Sequence, residues 1–113
     1  MSSLNNFILT TLQDVGAPAE YMNYTGDEDT YIRFFEYDNE SGLEADDEEQ
    51  YSVHYVHLDI FSPWNYQDLV KKVKQKMKQA GFVKNAETEM YEEDTKLYHK
   101  ALRFYLITKT EED

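Results

Sequence analysis

The chain has 113 residues and a mass of 13.4 kDa, with 41% hydrophobic residues, ten Tyr, six Phe and a formal charge of −12. This is too apolar for intrinsic disorder and sized for one core, with a radius of gyration of about 13 Å if packed compactly. The charge disfavours passive binding to nucleic acid or an anionic membrane, which needs a field of Lys or Arg, and the lack of cysteine excludes disulfides and thiolate chemistry.

Leu4, Phe7, Ile8, Leu12 and Val15 recur at helical spacing, with Ser2 or Ser3 as cap and Gly16 and Pro18 as stop, so a short first helix is expected. No basic region precedes a continuous apolar run and no segment approaches membrane-spanning length, which predicts a cytosolic product. Residues 20–25, "EYMNYT", form a brief strand before the turn signal "GDED". Residues 30–37, "TYIRFFEY", form a stronger one, with large side chains on both faces.

Residues 38–50 read as an acidic, flexible loop; six carboxylates fall between Glu40 and Glu49. The strand after it, residues 51–62, alternates Val56, Leu58 and Ile60 on one face with Val53, Tyr55, His57, Asp59 and Phe61 on the other. Pro63 ends that ladder, with Ser62 as the cap of a second helix. In that helix Tyr66, Leu69, Val70, Val73, Met77 and Ala80 form an apolar stripe that Gly81 terminates. Lys71, Lys72, Lys74, Lys76 and Lys78 make its basic face, with Lys84 just beyond. Two final strands, residues 86–91 and 98–108, flank the turn "EEDTK", and residues 109–113 are an acidic tail.

The expected fold is therefore one α/β (α+β) domain over residues 1–113, in the order α-β-β-β-α-β-β. A mostly antiparallel or mixed sheet of four to five strands carries two helices on one face. Two helices cover one face only. Tyr31, Phe35, Tyr37, Tyr55, Phe61 and Tyr105 then leave apolar area on the other, which favours a partner. Tyr31, Phe35, Tyr55 and Trp64 are the candidate interface residues; Trp64, in "SPWNY", reads either as a plug over the sheet end or as an interface anchor.

Chemistry is sparse. His54 and His57, three apart, point to opposite faces, whereas His57 and Asp59 share one, and His99 on the last strand completes a His/Asp/His set whose spacing does not demand a metal. The "DDEE" run lacks calcium-loop spacing, and neither a phosphate loop nor a nucleophile elbow occurs. Asp68 beside a helix start is explained by the helix dipole. No catalytic residue, metal or cofactor is expected, and the chain is read as non-enzymatic.

Four segments carry a resemblance: "DTYIRFFEY" (29–37), "ADDEEQYSVHYVHLDIFS" (45–62), "YQDLVKKVKQKMKQAGF" (66–82) and "MYEEDTKLYHKALRFY" (90–105). In their order and joint appearance the chain resembles the small tail completion, or tail terminator, proteins of long-tailed bacteriophages and of prophages of Gram-positive bacteria. The resemblance implies a virion tail subunit, made in the host cytoplasm, that forms a hexameric ring at the head-proximal end of the tail tube. Its implied partners are copies of itself, the tail tube protein and the head-tail connector proteins, with DNA only passing through the channel. It implies no active-site residues.

On that reading Glu44, Asp46, Asp47, Glu48 and Glu49 act through collective charge. They either line the DNA channel, where repulsion keeps the polyanion off the wall, or meet a basic face of a neighbour. The alternatives are an acidic DNA-mimic module that binds a basic protein, a head-side connector, and a metal-dependent hydrolase using His57, Asp59 and His99.

Overall fold

The structure, a computed structural model, describes residues 3–44 and 50–109. In chain order the elements are α1 (Ser3–Thr11), β1 (Ala19–Tyr21), β2 (Tyr31–Glu44), β3 (Gln50–Ser62), α2 (Gln67–Gln79), β4 (Val83–Glu92) and β5 (Leu97–Lys109). They form a five-stranded sheet in the order β1-β2-β3-β5-β4; β1 pairs with β2 in parallel and every other pair is antiparallel. Because β5 inserts between β3 and β4, α2 must cross the sheet to connect those two. That crossing lays its apolar stripe over the sheet centre.

The core lies between this helix layer and one sheet face. Leu4, Ile8 and Leu12 of the first helix and its C-terminal turn join Val70, Val73 and Met77 of α2 against Ile32, Phe34, Val56, Leu58, Ile60, Leu102 and Phe104. Leu69 packs at the edge of the same cluster. Phe82 plugs the end of the layer, stacked on Phe7 at 5.9 Å and edge-on to Phe104 at 6.2 Å. The chain reverses there through a Schellman turn, in which Phe82 N–H donates to the Met77 carbonyl and Gly81 N–H to that of Lys78, each at 3.0 Å. Gly81 sits at φ 103°, a left-handed conformation in which any side chain would be strained.

Three local expectations change. The segment read as a loop from residue 38 is strand through Glu44, paired as far as Glu44 with Gln50, so of the expected loop only residues 45–49 lie outside the described residues. Its polar side chains gave no apolar alternation because Asp38, Asn39 and Glu40 are exposed; the partner strand makes the ladder. Register shifts between Glu36 and Asp38 and between Glu40 and Leu43 further break the two-residue period. Among the described residues, none of the β2–β3 hairpin beyond Glu36 belongs to the main core. At about 3.3 Å per residue that part extends roughly 26 Å to Glu44. The molecule is accordingly elongated, 52 × 24 × 24 Å with a radius of gyration of 15.4 Å, above the compact expectation.

Second, β4 begins at Val83 rather than Ala86, because a bulge between Lys84 and Ala86 hides the alternation. Third, Ser62 does not cap α2. Its hydroxyl is bonded to Thr30 at 2.9 Å and accepts the Trp64 N–H at 3.3 Å, while Asn65 Oδ1 accepts the Gln67 N–H at 2.9 Å.

The α2–β4 seam is closed by one carboxylate. Glu87 pairs with Lys74 at 2.8 Å, Lys100 at 3.0 Å and Lys84. The Lys74 contact foremost, then that of Lys84, with Lys100 adding to them against the upward push of partial burial, holds its pKa at about 2 instead of 4.5. Since the folded value lies below the unfolded one, this stabilisation is complete above the unfolded pKa and is lost as pH falls from 4.5 toward 2. Glu87→Gln should therefore melt lower than the parent at pH 7, and the gap should narrow at pH 3. An unchanged gap at the two pH values would show that Glu87 is not the group responsible.

Candidate functional site

The sheet face away from the helices has no covering element among the described residues. Strand register lays its side chains out in rows: Tyr31, Phe61 and His99; Arg33, Asp59 and Ala101; Phe35, His57 and Arg103. The centre is ionic rather than apolar. Asp59 is fully buried, and three neighbours converge on it: Arg33 Nε at 2.9 Å, His57 Nε2 at 2.8 Å and His99 Nε2 at 2.5 Å. Burial by itself would raise the Asp59 pKa, but the hydrogen bonds from His57, His99 and Arg33 outweigh it and hold the carboxyl well below the usual carboxylate range.

The second ring nitrogens extend the network. His57 Nδ1 accepts from Arg103 Nε at 3.2 Å, which places its proton on Nε2, toward Asp59. His99 Nδ1 faces Glu92 Oε2 at 3.1 Å, so both its ring nitrogens meet carboxylate oxygens. Aromatic rings wall this cluster. Phe61 stacks on His99 at 4.2 Å and on Tyr31 at 5.0 Å with Arg33 5.1 Å above it, and Phe35 stacks on His57 at 5.1 Å.

The structure places His57 beside Asp59, the pair that alternation put on one face, and brings His99 of β5 to the same carboxylate; the sequence pattern missed Arg33, Arg103 and Glu92. Those three turn the set into an ion-pair network. Among the described residues no group of three or more His, Asp or Glu is placed to hold a metal ion, and the chain has no cysteine. No nucleophile is paired with a base in this cluster; what the arrangement offers is a rigid, patterned surface.

Of the candidate interface residues, Tyr31, Phe35 and Tyr55 are half-buried on this face. Tyr55 lies between Tyr37 at 6.0 Å and Tyr105 at 6.4 Å and donates to Glu40 at 3.3 Å. Phe61 is not available to a partner, since only 5% of it is exposed beneath Arg33. Trp64 lies elsewhere, at the β3–α2 corner, 58% exposed. It borders two grooves of about 640 and 280 Å³, one reaching Val15 and Lys72, the other Glu89 and Tyr98. With that exposure it does not plug the sheet end.

The basic helix face proves to be two flanks separated by the buried stripe. Lys72 and Lys76 lie toward the first helix, where Lys76 meets Asp14 at 3.3 Å. Lys71, Lys74 and Lys78 share the flank toward β4 through their i, i+3 and i+7 spacing. There Lys74, Lys78 and Lys84 rim a groove of about 400 Å³ floored by Phe82, Val83 and Phe104. Lys71, Lys72 and Lys78 have no carboxylate partner among the described residues. Of the acidic candidates, Glu44 ends β2, while Asp46, Asp47, Glu48 and Glu49 lie outside the described residues.

No protein-family model matches the chain, and no curated protein matches it in sequence. Among solved structures it is similar in fold to a chain of the virion of a native gene transfer agent particle. The match has a TM-score of 0.59 and 11% identity, and it covers 91% of this chain and 84% of that one.

Proposed function

We propose that the chain is a non-enzymatic structural subunit of a phage-type virion, forming a ring, a hexamer, at the head-proximal end of the tail tube. There it ends tube polymerisation and presents the surface on which the head docks. The observation that carries this reading is the fold likeness, over nearly the whole chain, to a chain of a gene transfer agent virion. Two features of the molecule support it. One sheet face is left without helices and carries Tyr31, Phe35, Tyr37, Tyr55 and Tyr105, rigid side chains suited to contact with a neighbour. The charge, with 23 acidic residues against 11 basic ones, suits a subunit beside a DNA channel, where attraction would slow passage.

On this reading the tail tube protein meets one side of the ring and connector proteins the other. A phage lacking this chain should accumulate filled heads apart from tails of uncontrolled length. Tails of normal length joined to heads in its absence would reject the role.

A further inference from the structure

Resting on the ring reading, we infer that the α2–β4 groove is the seat for the acidic end of the β2–β3 hairpin of a second copy, residues 38–50. Residues 69–86 hold six of the eleven basic residues and no acidic one, so all 23 acidic residues lie elsewhere in the chain. Two copies at −12 repel over most orientations; bringing this segment of one copy to the acidic hairpin of the next is the approach that attracts.

The groove is built for such an occupant. Lys71 and Lys78 have no carboxylate partner among the described residues, Lys74 and Lys84 stand with Lys78 at its rim although both also meet Glu87, and Val83, 46% exposed over the buried Phe82 and Phe104, gives it an apolar floor. A polyphosphate would use the lysines but not that floor. The rest of the chain, carrying every acidic residue, would repel it.

The occupant must come from another copy. The groove lies beside Phe104, whose β3 partner is Val56, at the root of the hairpin. The hairpin then runs away from it, pinned along β5 as far as Tyr51 with Lys109, so it cannot fold back onto its own α2. Its reach of roughly 26 Å past Glu36 is about the 24 Å width of the subunit. A contact that joins two different patches repeats head to tail and closes into a ring when its rotation allows.

The cysteine-free chain permits a direct test. The doubly substituted chain Glu40→Cys, Lys78→Cys, oxidised both as purified protein at high concentration and within assembled tails, should give a ladder of disulfide-linked multimers. Glu40→Cys with Lys72→Cys, on the other flank, should give none. Lys71→Glu with Lys78→Glu should weaken self-association at least tenfold. Replacing Glu44, Asp46, Asp47, Glu48 and Glu49 by Lys should do the same, and mixing the two variants should restore it. Circular dichroism should show each variant folded. A ring seen by electron microscopy with no Glu40–Lys78 ladder, or a ladder from the Lys72 pair instead, overturns the contact and leaves the ring reading standing. Absence of any ring from the tail removes the reading itself.

Discussion

Asp59→Ala is expected to destabilise the subunit by about 3 to 5 kcal/mol, the cost of breaking a buried ion pair by removing one partner. Asp59 is wholly buried, and its carboxylate is the common acceptor for Arg33, His57 and His99. Without it the Arg33 guanidinium loses its carboxylate, His99 keeps only Glu92, and the His57 ring loses the acceptor of its Nε2 proton. Asp59→Asn should fall between the two, because the amide retains an acceptor oxygen but gives up the charge. Urea unfolding at pH 7 measures both. A loss below 1 kcal/mol for the alanine variant would mean that the network is solvated and contributes as little as a surface pair.

A comparable loss is expected at the helix–sheet seam. Val73 has no exposed surface and belongs to the cluster that joins α2 to Val56, Leu58 and Ile60. Val73→Asp would both remove packing and bury a carboxylate with no cation arranged to receive it, at a cost of about 3 kcal/mol or more. Lys71→Asp, two positions away on the exposed flank, should change stability by less than about 0.5 kcal/mol. Equal effects at the two positions would mean that α2 is not seated on the sheet. A folded Val73→Asp variant melting with the parent would say the same.

These two sites differ in how far the sequence announces them. Val70, Val73 and Met77 repeat at the helical period, and Val56, Leu58 and Ile60 at the period of a strand, so each apolar face is visible locally and the pairing follows from having one core. The Asp59 network is different. Alternation puts His57 beside Asp59, but Arg33 and Arg103 arrive through the register of β2 and β5 against β3, which no local pattern encodes. The hairpin beyond Glu36 is hidden for a related reason. Tyr37, Asp38, Asn39 and Glu40 are all exposed, so no hydrophobic alternation marks this part of β2, and its acidic residues imitate a loop. The lysines of α2 read as one face because five occur in eight positions; only the direction of the buried stripe divides them into a flank toward the first helix and a flank toward β4.

The measurement that bears most directly on the proposed role is a cryo-electron microscopy reconstruction of intact particles that contain this chain. The account predicts one ring of six copies at the head-proximal end of the tail tube, with hairpins reaching from each subunit to α2 of the next. Density that places the chain at the far end of the tail, on the head side of the junction or nowhere in the particle would contradict it.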